Sequence, residues 1–177
     1  GFPNGFDLEI TVPENYRIHV DTAQIIAKQL ESIGIRCKLK FVDWPTWLDK
    51  VYSKFEYQAT VIAFGGKLDP SEVLGRYYST NKRNFTHYNN SFFDETFDKA
   101  EVETDTAKRI NYYKYCQELL TKSAPVVFIA DPNNTVLLQK NIRGYEVYPV
   151  LFYNFAKMKS FSGLLIDKYI FIFLFKN

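Results

Sequence analysis

Two stretches of strict alternation flank a stretch of helical spacing at the start of the chain. Phe6, Leu8, Ile10 and Val12 alternate with Asp7, Glu9 and Thr11, the period of a half-buried strand that Pro13 ends. Val20, Ala23, Ile26, Ala27, Leu30 and Ile33 then recur at spacings of three and four, which puts them on one helix face. Asn15 is the predicted N-cap and Gly34 the predicted stop. Ile35, Cys37, Leu39 and Phe41 alternate with Arg36, Lys38 and Lys40 as a second strand. A strand, a long helix and a strand make a βαβ unit with its two strands parallel. Asp43 and Pro45 open a short helix carrying Trp47, Leu48, Val51 and Tyr52, and residues 59–64, apolar on both faces, predict a third, central strand.

That strand runs into Gly65-Gly66. In Asp69-Pro70-Ser71-Glu72 the Asp fits a helix N-cap, the Pro the first helical position and the Glu the third, so a helix is predicted from Pro70 to about Tyr78. A polar loop over 79–90, interrupted by Phe85 and Tyr88, leads to helices over 91–101 and 105–122. A short buried strand over 125–130 and further strands over 135–138 and 145–150 complete the pattern. The class is α/β, a mixed sheet with a parallel βαβ start and flanking helices. The apolar run from Tyr169 to Phe175 is far shorter than the roughly 20 residues of a membrane helix. It reads as an aggregation-prone strand or as sequence foreign to the fold.

Composition narrows the function classes. A chain of 177 residues with 46% hydrophobic and 24% charged residues is long enough for one real core, which excludes general disorder. Net charge is +2 and no Lys/Arg run stands out, so the electrostatic footprint of a nucleic-acid binder is missing. The 16 Phe, 13 Tyr and 2 Trp suit a core with wide clefts or a stacking surface. Cys37 and Cys116 stand in no metal or redox spacing and read as two buried free thiols. The opening Gly1-Phe2-Pro3-Asn4-Gly5 is turn-rich and has no export signal.

Candidate chemistry gathers at one place. Ligands of open α/β sheets collect at the carboxyl ends of strands, here Gly65-Gly66-Lys67-Leu68-Asp69. Two glycines allow close backbone approach to a ligand, and Asp69 is read as a structural cap. His19 and His87 have no Cys or Ser arranged as a nucleophile and base, and no metal-ligand spacing. Asp94 with Asp98, and Glu101 with Asp105, lie at helical spacing on a face read as exposed. No catalytic residue, cofactor or metal is expected. Gly66-Lys67-Leu68 fails the phosphate-loop pattern at its third position.

Gly1-Phe2-Pro3-Asn4-Gly5-Phe6 leads into a strand, and Gln29-Leu30 and Ile33-Gly34-Ile35 mark a helix, its stop and the next strand. The stretch from Gly65 to Leu74 holds Asp-Pro and a helix, and Asn84-Phe-Thr-His-Tyr88-Asn-Asn90 is followed by Phe93-Asp94. Lys108-Arg109 runs through Gln117 to Pro125. In this order the segments resemble the family 5 solute-binding proteins of dipeptide, oligopeptide and nickel ABC transporters, over about residues 1–158. The resemblance implies a periplasmic-binding-protein type II-like lobe: a second lobe plus the return toward a missing first lobe, with residues 159–177 an atypical apolar tail. It places the first lobe and a signal peptide upstream of Gly1. It also implies a two-lobed trap closing on a small solute, peptide or oligosaccharide, for delivery to an ABC transporter permease. The setting would be periplasmic or extracellular, membrane-tethered in the full-length form. Ligand contacts are expected from Gly65, Gly66, Lys67, Asn84, His87 and Tyr88, with Trp44, Trp47, Tyr88 and Phe64 as stacking surface for a sugar. Peptide-binding members carry an amine-pairing aspartate three residues before the acid of the Asp/Glu-Pro pair, and here Gly66 stands there. The rival expectations are a small α/β hydrolase-like enzyme using Asp69 or His87, and a non-functional truncated remnant.

Overall fold

In the computed structural model, which describes residues 2–131, 133, 135–148, 154–160 and 173–175, the first alternation becomes strand β1 (Phe6–Pro13). Helix α1 (Arg17–Glu31) follows, then strand β2 (Ile35–Val42), which pairs parallel to β1 from Phe6↔Ile35 to Pro13↔Val42. The βαβ unit is therefore present as the periodicity predicts. Its exposed side carries cross-strand ion pairs, Arg36 with Asp7 at 2.6 Å and Lys40 with Glu9 at 3.3 Å. Its other side packs Leu8, Ile10, Val12, Cys37 and Leu39 against Val20, Ala23 and Ile26 of α1. Cys37 is half-buried and Cys116 buried, and both are free thiols.

Three expectations in this part are corrected. The middle strand of the three is β1, whereas β3 is only Ala59–Thr60 and pairs parallel to Ile10 and Thr11 at the edge. The apolar stretch after Thr60 is two-faced because Val61 joins the β1–α1 core while Ile62 packs on the cluster around Trp47, so it bridges two cores without extending the ladder. The residue before α1 is Tyr16, with no side-chain cap; its ring packs against Trp44 and His19 at 5.7 and 5.1 Å, so packing at Tyr16 takes the place of the Asn15 cap. Ile33 lies beyond the end of α1 and is 70% exposed.

Gly34 takes φ +86° and Gly5 takes φ +68°, and the two backbones touch. A β-carbon on Gly5 would overlap the Gly34 carbonyl oxygen, so this crossing of the β1 and β2 entries needs glycine. Asp43 caps helix α2 (Trp44–Thr46) by accepting from the Thr46 N–H at 2.7 Å. The helix widens into a π-helical turn over Trp47–Ser53, which buries Trp47 and Val51. The Trp47 indole N–H donates to Thr60 Oγ1 at 2.9 Å, and that hydroxyl donates to the Thr11 carbonyl at 2.7 Å.

Helix α3 (Pro70–Leu74) passes into a 3-10 turn over Gly75–Tyr77, so the predicted helix to Tyr78 tightens after its first turn. Helices α4 (Ser91–Val102) and α5 (Thr106–Ser123) are capped by Asn90 and Asp105. Phe93, Phe97 and Ala100 meet Tyr113, Cys116 and Leu120 in a second core. All of this belongs to one compact unit, Gly1–Phe64 with Asp69–Val127.

The other unit comprises Gly65–Leu68 and Phe128–Asn177. Strand β4 (Thr135–Leu137) pairs antiparallel with β7 (Phe173–Phe175), and β5 (Ile142–Arg143) with β6 (Lys159–Ser160). Residues 125–130 are not a buried strand: among the described residues they have no ladder partner, and Val127 and Ile129 are 81% and 55% exposed. Residues 145–148 are not strand either, the ladder forming just before them; 149–150 lie outside the described residues, as does most of the apolar run before β7. No helix among the described residues is long and apolar enough to cross a membrane.

Phe93 is fully buried between α4 and α5, so Phe93→Ala should lower stability by about 3–5 kcal/mol, read as a shift in the urea midpoint. Gly5→Ala should also destabilise the chain, while Gly65→Ala, with nothing within 4 Å of its added β-carbon, should leave the midpoint unchanged.

Candidate functional site

The residues singled out from sequence fall in both units. Gly65, Gly66 and Lys67 are exposed, and a β-carbon on Gly65 would meet nothing within 4 Å. This segment is open backbone, the kind of surface a ligand can approach closely. Asn84, His87 and Tyr88 lie in the other unit, and only His87 is exposed.

Asn84 and Tyr88 serve the loop itself. The Asn84 amide donates to the Tyr78 and Tyr88 carbonyls at 3.3 and 2.8 Å, and its oxygen accepts from Thr86 Oγ1 at 2.9 Å. Tyr88 lies in the α4–α5 core with its hydroxyl 3.3 Å from Ser123 Oγ. These bonds explain why a polar loop stays ordered: each buried polar atom finds a partner inside it. Between them His87 holds φ +55° and sets its ring against Phe55, which itself has φ +58°, at 4.2 Å between centroids.

The stacking surface proposed for a sugar divides likewise. Trp47 is buried and stacked on Trp44 at 5.1 Å, and Tyr88 is buried, so neither offers a free face. Phe64 is 44% exposed, with its ring 6.0 Å from that of Phe85. Arg76, which periodicity did not single out, places its guanidinium carbon 4.2 Å from the Phe64 centroid. An Arg two residues after a five-residue helix carries no motif, so only the fold exposes this pairing.

The residue behind the open segment is tightly held. Asp69 caps α3, its Oδ1 accepting from the Ser71 N–H at 2.9 Å. Arg109 Nη2 reaches both carboxylate oxygens, at 3.0 and 2.8 Å. The same nitrogen donates to the Tyr113 hydroxyl at 3.2 Å, which donates to Glu101 at 3.0 Å, while Arg109 Nε donates to the Ala100 carbonyl at 3.3 Å. The Arg109 guanidinium and then the Ser71 N–H hold the Asp69 carboxyl down at about 2. Burial, and then Glu101, push the Tyr113 phenol up. Sequence could suggest the cap but not the partner 40 residues away. The carboxylates read as an exposed acid pair are also engaged: Asp94 accepts from the Ser79 N–H and Asp98 from the Tyr78 hydroxyl. Burial pushes the Cys116 thiol up to about 11, so it stays protonated at neutral pH.

A parallel sheet with a helix crossover and packed helices is the architecture of a periplasmic-binding-protein type II-like lobe. Residues 1–85 match the family model "Bacterial extracellular solute-binding proteins, family 5 Middle". The oligopeptide-binding protein AppA of Bacillus subtilis (strain 168) is 22% identical over 147 residues, 81% of this chain and 27% of AppA. The dipeptide-binding protein DppE of the same organism is 27% identical over 142 residues, 79% of this chain and 25% of DppE. The structure of Bacillus subtilis AppA in complex with a nonapeptide superposes with a TM-score of 0.77 at 22% identity, over 89% of this chain and 32% of that one. The structure of AgaA from A.tumefacien R10 in complex with agropinic acid superposes with a TM-score of 0.64 at 28% identity, over 71% of this chain and 26% of that one. The family-model match covers just under half of the chain, and the chain spans about a quarter of the length of the curated relatives it matches.

Asp69 has a folded pKa below its unfolded value near 4, so its ionised form stabilises the fold. That contribution is complete above about pH 4 and is lost as pH falls through about 2. Asp69→Asn should therefore melt lower than the parent at pH 6, with the gap closing toward pH 2 in a circular-dichroism melting series.

Proposed function

We infer that this chain is the ligand-facing lobe of a two-lobed solute trap that hands its cargo to an ABC transporter permease outside the cytoplasmic membrane, tethered there in its full-length form. The observation that carries this reading is the open Gly65-Gly66-Lys67 segment, which follows the sheet-forming residues in sequence. The related AppA and DppE are named for oligopeptide and dipeptide binding, and AgaA was solved with agropinic acid, so the cargo is a small polar solute. Gly65, Gly66 and Lys67 are the contacts offered by one unit and His87 the contact offered by the other, where Asn84 and Tyr88 act through the loop that presents it. Binding, not bond chemistry, is the activity: the nearest ring to His87 is Phe55, and Asp69 is committed to Arg109 and Ser71.

Joining the chain in frame to a family 5 first lobe should restore a complete trap. A panel of trialanine, N-acetyl-trialanine, maltotriose and galacturonate should then include at least one solute that raises the melting temperature, by about 2.7 kcal/mol of stabilisation at a hundredfold excess over Kd. Gly65→Trp should keep the melting temperature of the unliganded protein and lose that rise. No response to any solute in the joined protein would sink the reading.

A further inference from the structure

The amine-recognising carboxylate expected of peptide binders is missing at Gly66, three residues before Asp69. Ten residues further along the sequence, a side chain with unused recognition capacity carries the opposite charge. Arg76 is half-buried, its guanidinium lying over the Phe64 ring, which leans on Phe85 at 6.0 Å and 63°. Stacking fixes the guanidinium plane and leaves its N–H donors at the rim. Among the described residues no hydrogen bond or ion pair engages them. Arg17, Arg36 and Arg109 are each committed to an aspartate, Arg143 to backbone carbonyls, and Arg83 is exposed to water. Arg76 alone combines partial burial, an aromatic support and idle donors. A planar anion accepting two parallel N–H bonds is the partner such a group fits.

We propose that Arg76, held over Phe64, is the specificity-determining residue of this lobe and selects solutes bearing a carboxylate, with no requirement for a free amine. Both an N-blocked peptide with a free carboxyl end and a sugar acid present this chemistry. The inference rests on the solute-binding reading above and adds the charge of the solute to it.

The test is a titration of the ¹⁵N-labelled full chain, reading the backbone amides of Gly65 and Arg76 and the Arg76 Nε signal. The probes form two pairs, N-acetyl-trialanine against its carboxyl amide, and galacturonate against galactose. At least one acid should bind at least about tenfold tighter than its neutral partner, the size of one charge-assisted contact. Which acid does so separates the peptide from the sugar source. Arg76→Gln should abolish the preference and Arg76→Lys should recover part of it. The comparison of acid with neutral probe in the parent chain decides the matter even where a variant folds poorly. Equal binding within both pairs, or a preference that survives Arg76→Gln, overturns the role of Arg76 and leaves solute capture standing. No saturable shift at these signals with any of the four probes also overturns the role of Arg76, while the solute-binding reading stands or falls on the joined protein.

Discussion

Parallel pairing on both sides of β1 is the constraint from which the rest of this lobe follows. Because β2 and β3 run with β1, the carboxyl ends of all three strands emerge at one edge of the sheet, at Pro13, Val42 and Thr60. Every segment with a recognition surface in this unit departs from or packs beside that edge. Tyr16 opens α1 there, Asp43 opens α2, and the stretch after Thr60 carries Phe64. The relay from Trp47 through Thr60 to the Thr11 carbonyl ties the π-helical turn to the middle strand. An antiparallel β3 would send its exit, and Phe64 with it, to the opposite edge, away from Trp47 and Phe85. The position of Phe64 is thus a consequence of strand direction before it is a matter of side chains.

Direction alone does not hold a five-residue helix. An isolated helix as short as α3 does not repay its nucleation cost. Ion pairs between exposed residues close in sequence, such as Arg17 with Asp21, contribute little. The Asp69–Arg109 pair differs in kind: it joins elements 40 residues apart, is about one-third exposed, and shares its atoms with an N-cap and a tyrosine hydroxyl. One carboxylate therefore both terminates the open segment and fastens α3 to α5. A substitution that keeps the cap but removes the charge, as asparagine would, separates the two jobs.

Local periodicity made the β1–α1–β2 unit legible, since Leu8, Ile10, Val12, Cys37 and Leu39 face the side their alternation predicts, although Phe41 and Ile33 are exposed. The same holds for α4 and α5, whose Asn90 and Asp105 caps bond as such residues do. Legibility ended where one segment serves two cores or where a partner is distant in sequence. Residues 61–64 look like a central strand because Val61 and Ile62 feed different clusters, a distinction invisible to an alternation count. Residues 125–130 have strand composition, but composition does not supply a neighbouring strand. The exposure of Gly65, Gly66 and Lys67 was legible because a glycine pair reports backbone access directly. Asn84 and Tyr88 looked like ligand contacts because a polar loop interrupted by aromatics reads the same whether its side chains point outward or lock the loop from within. Arg76 carried no signal, its meaning lying wholly in what it stacks on.

The left-handed backbones of Phe55 and His87 connect this locking to recognition. Each such residue costs on the order of 1–3 kcal/mol and persists only where its surroundings over-determine it. Around Phe55 the Lys54 and Glu56 N–H groups donate to Asp49 and Lys50 carbonyls, and the same side chains form two ion pairs. Around His87 the Asn84–Thr86–Tyr88 bonds do the equivalent work. Both rings are thereby held at the surface in mutual contact before any ligand arrives. The third left-handed residue outside glycine, Ala124, ends α5 and needs no further cause. The preset ring pair and the stacked guanidinium share one physical feature: the cost of ordering them is met by the fold itself.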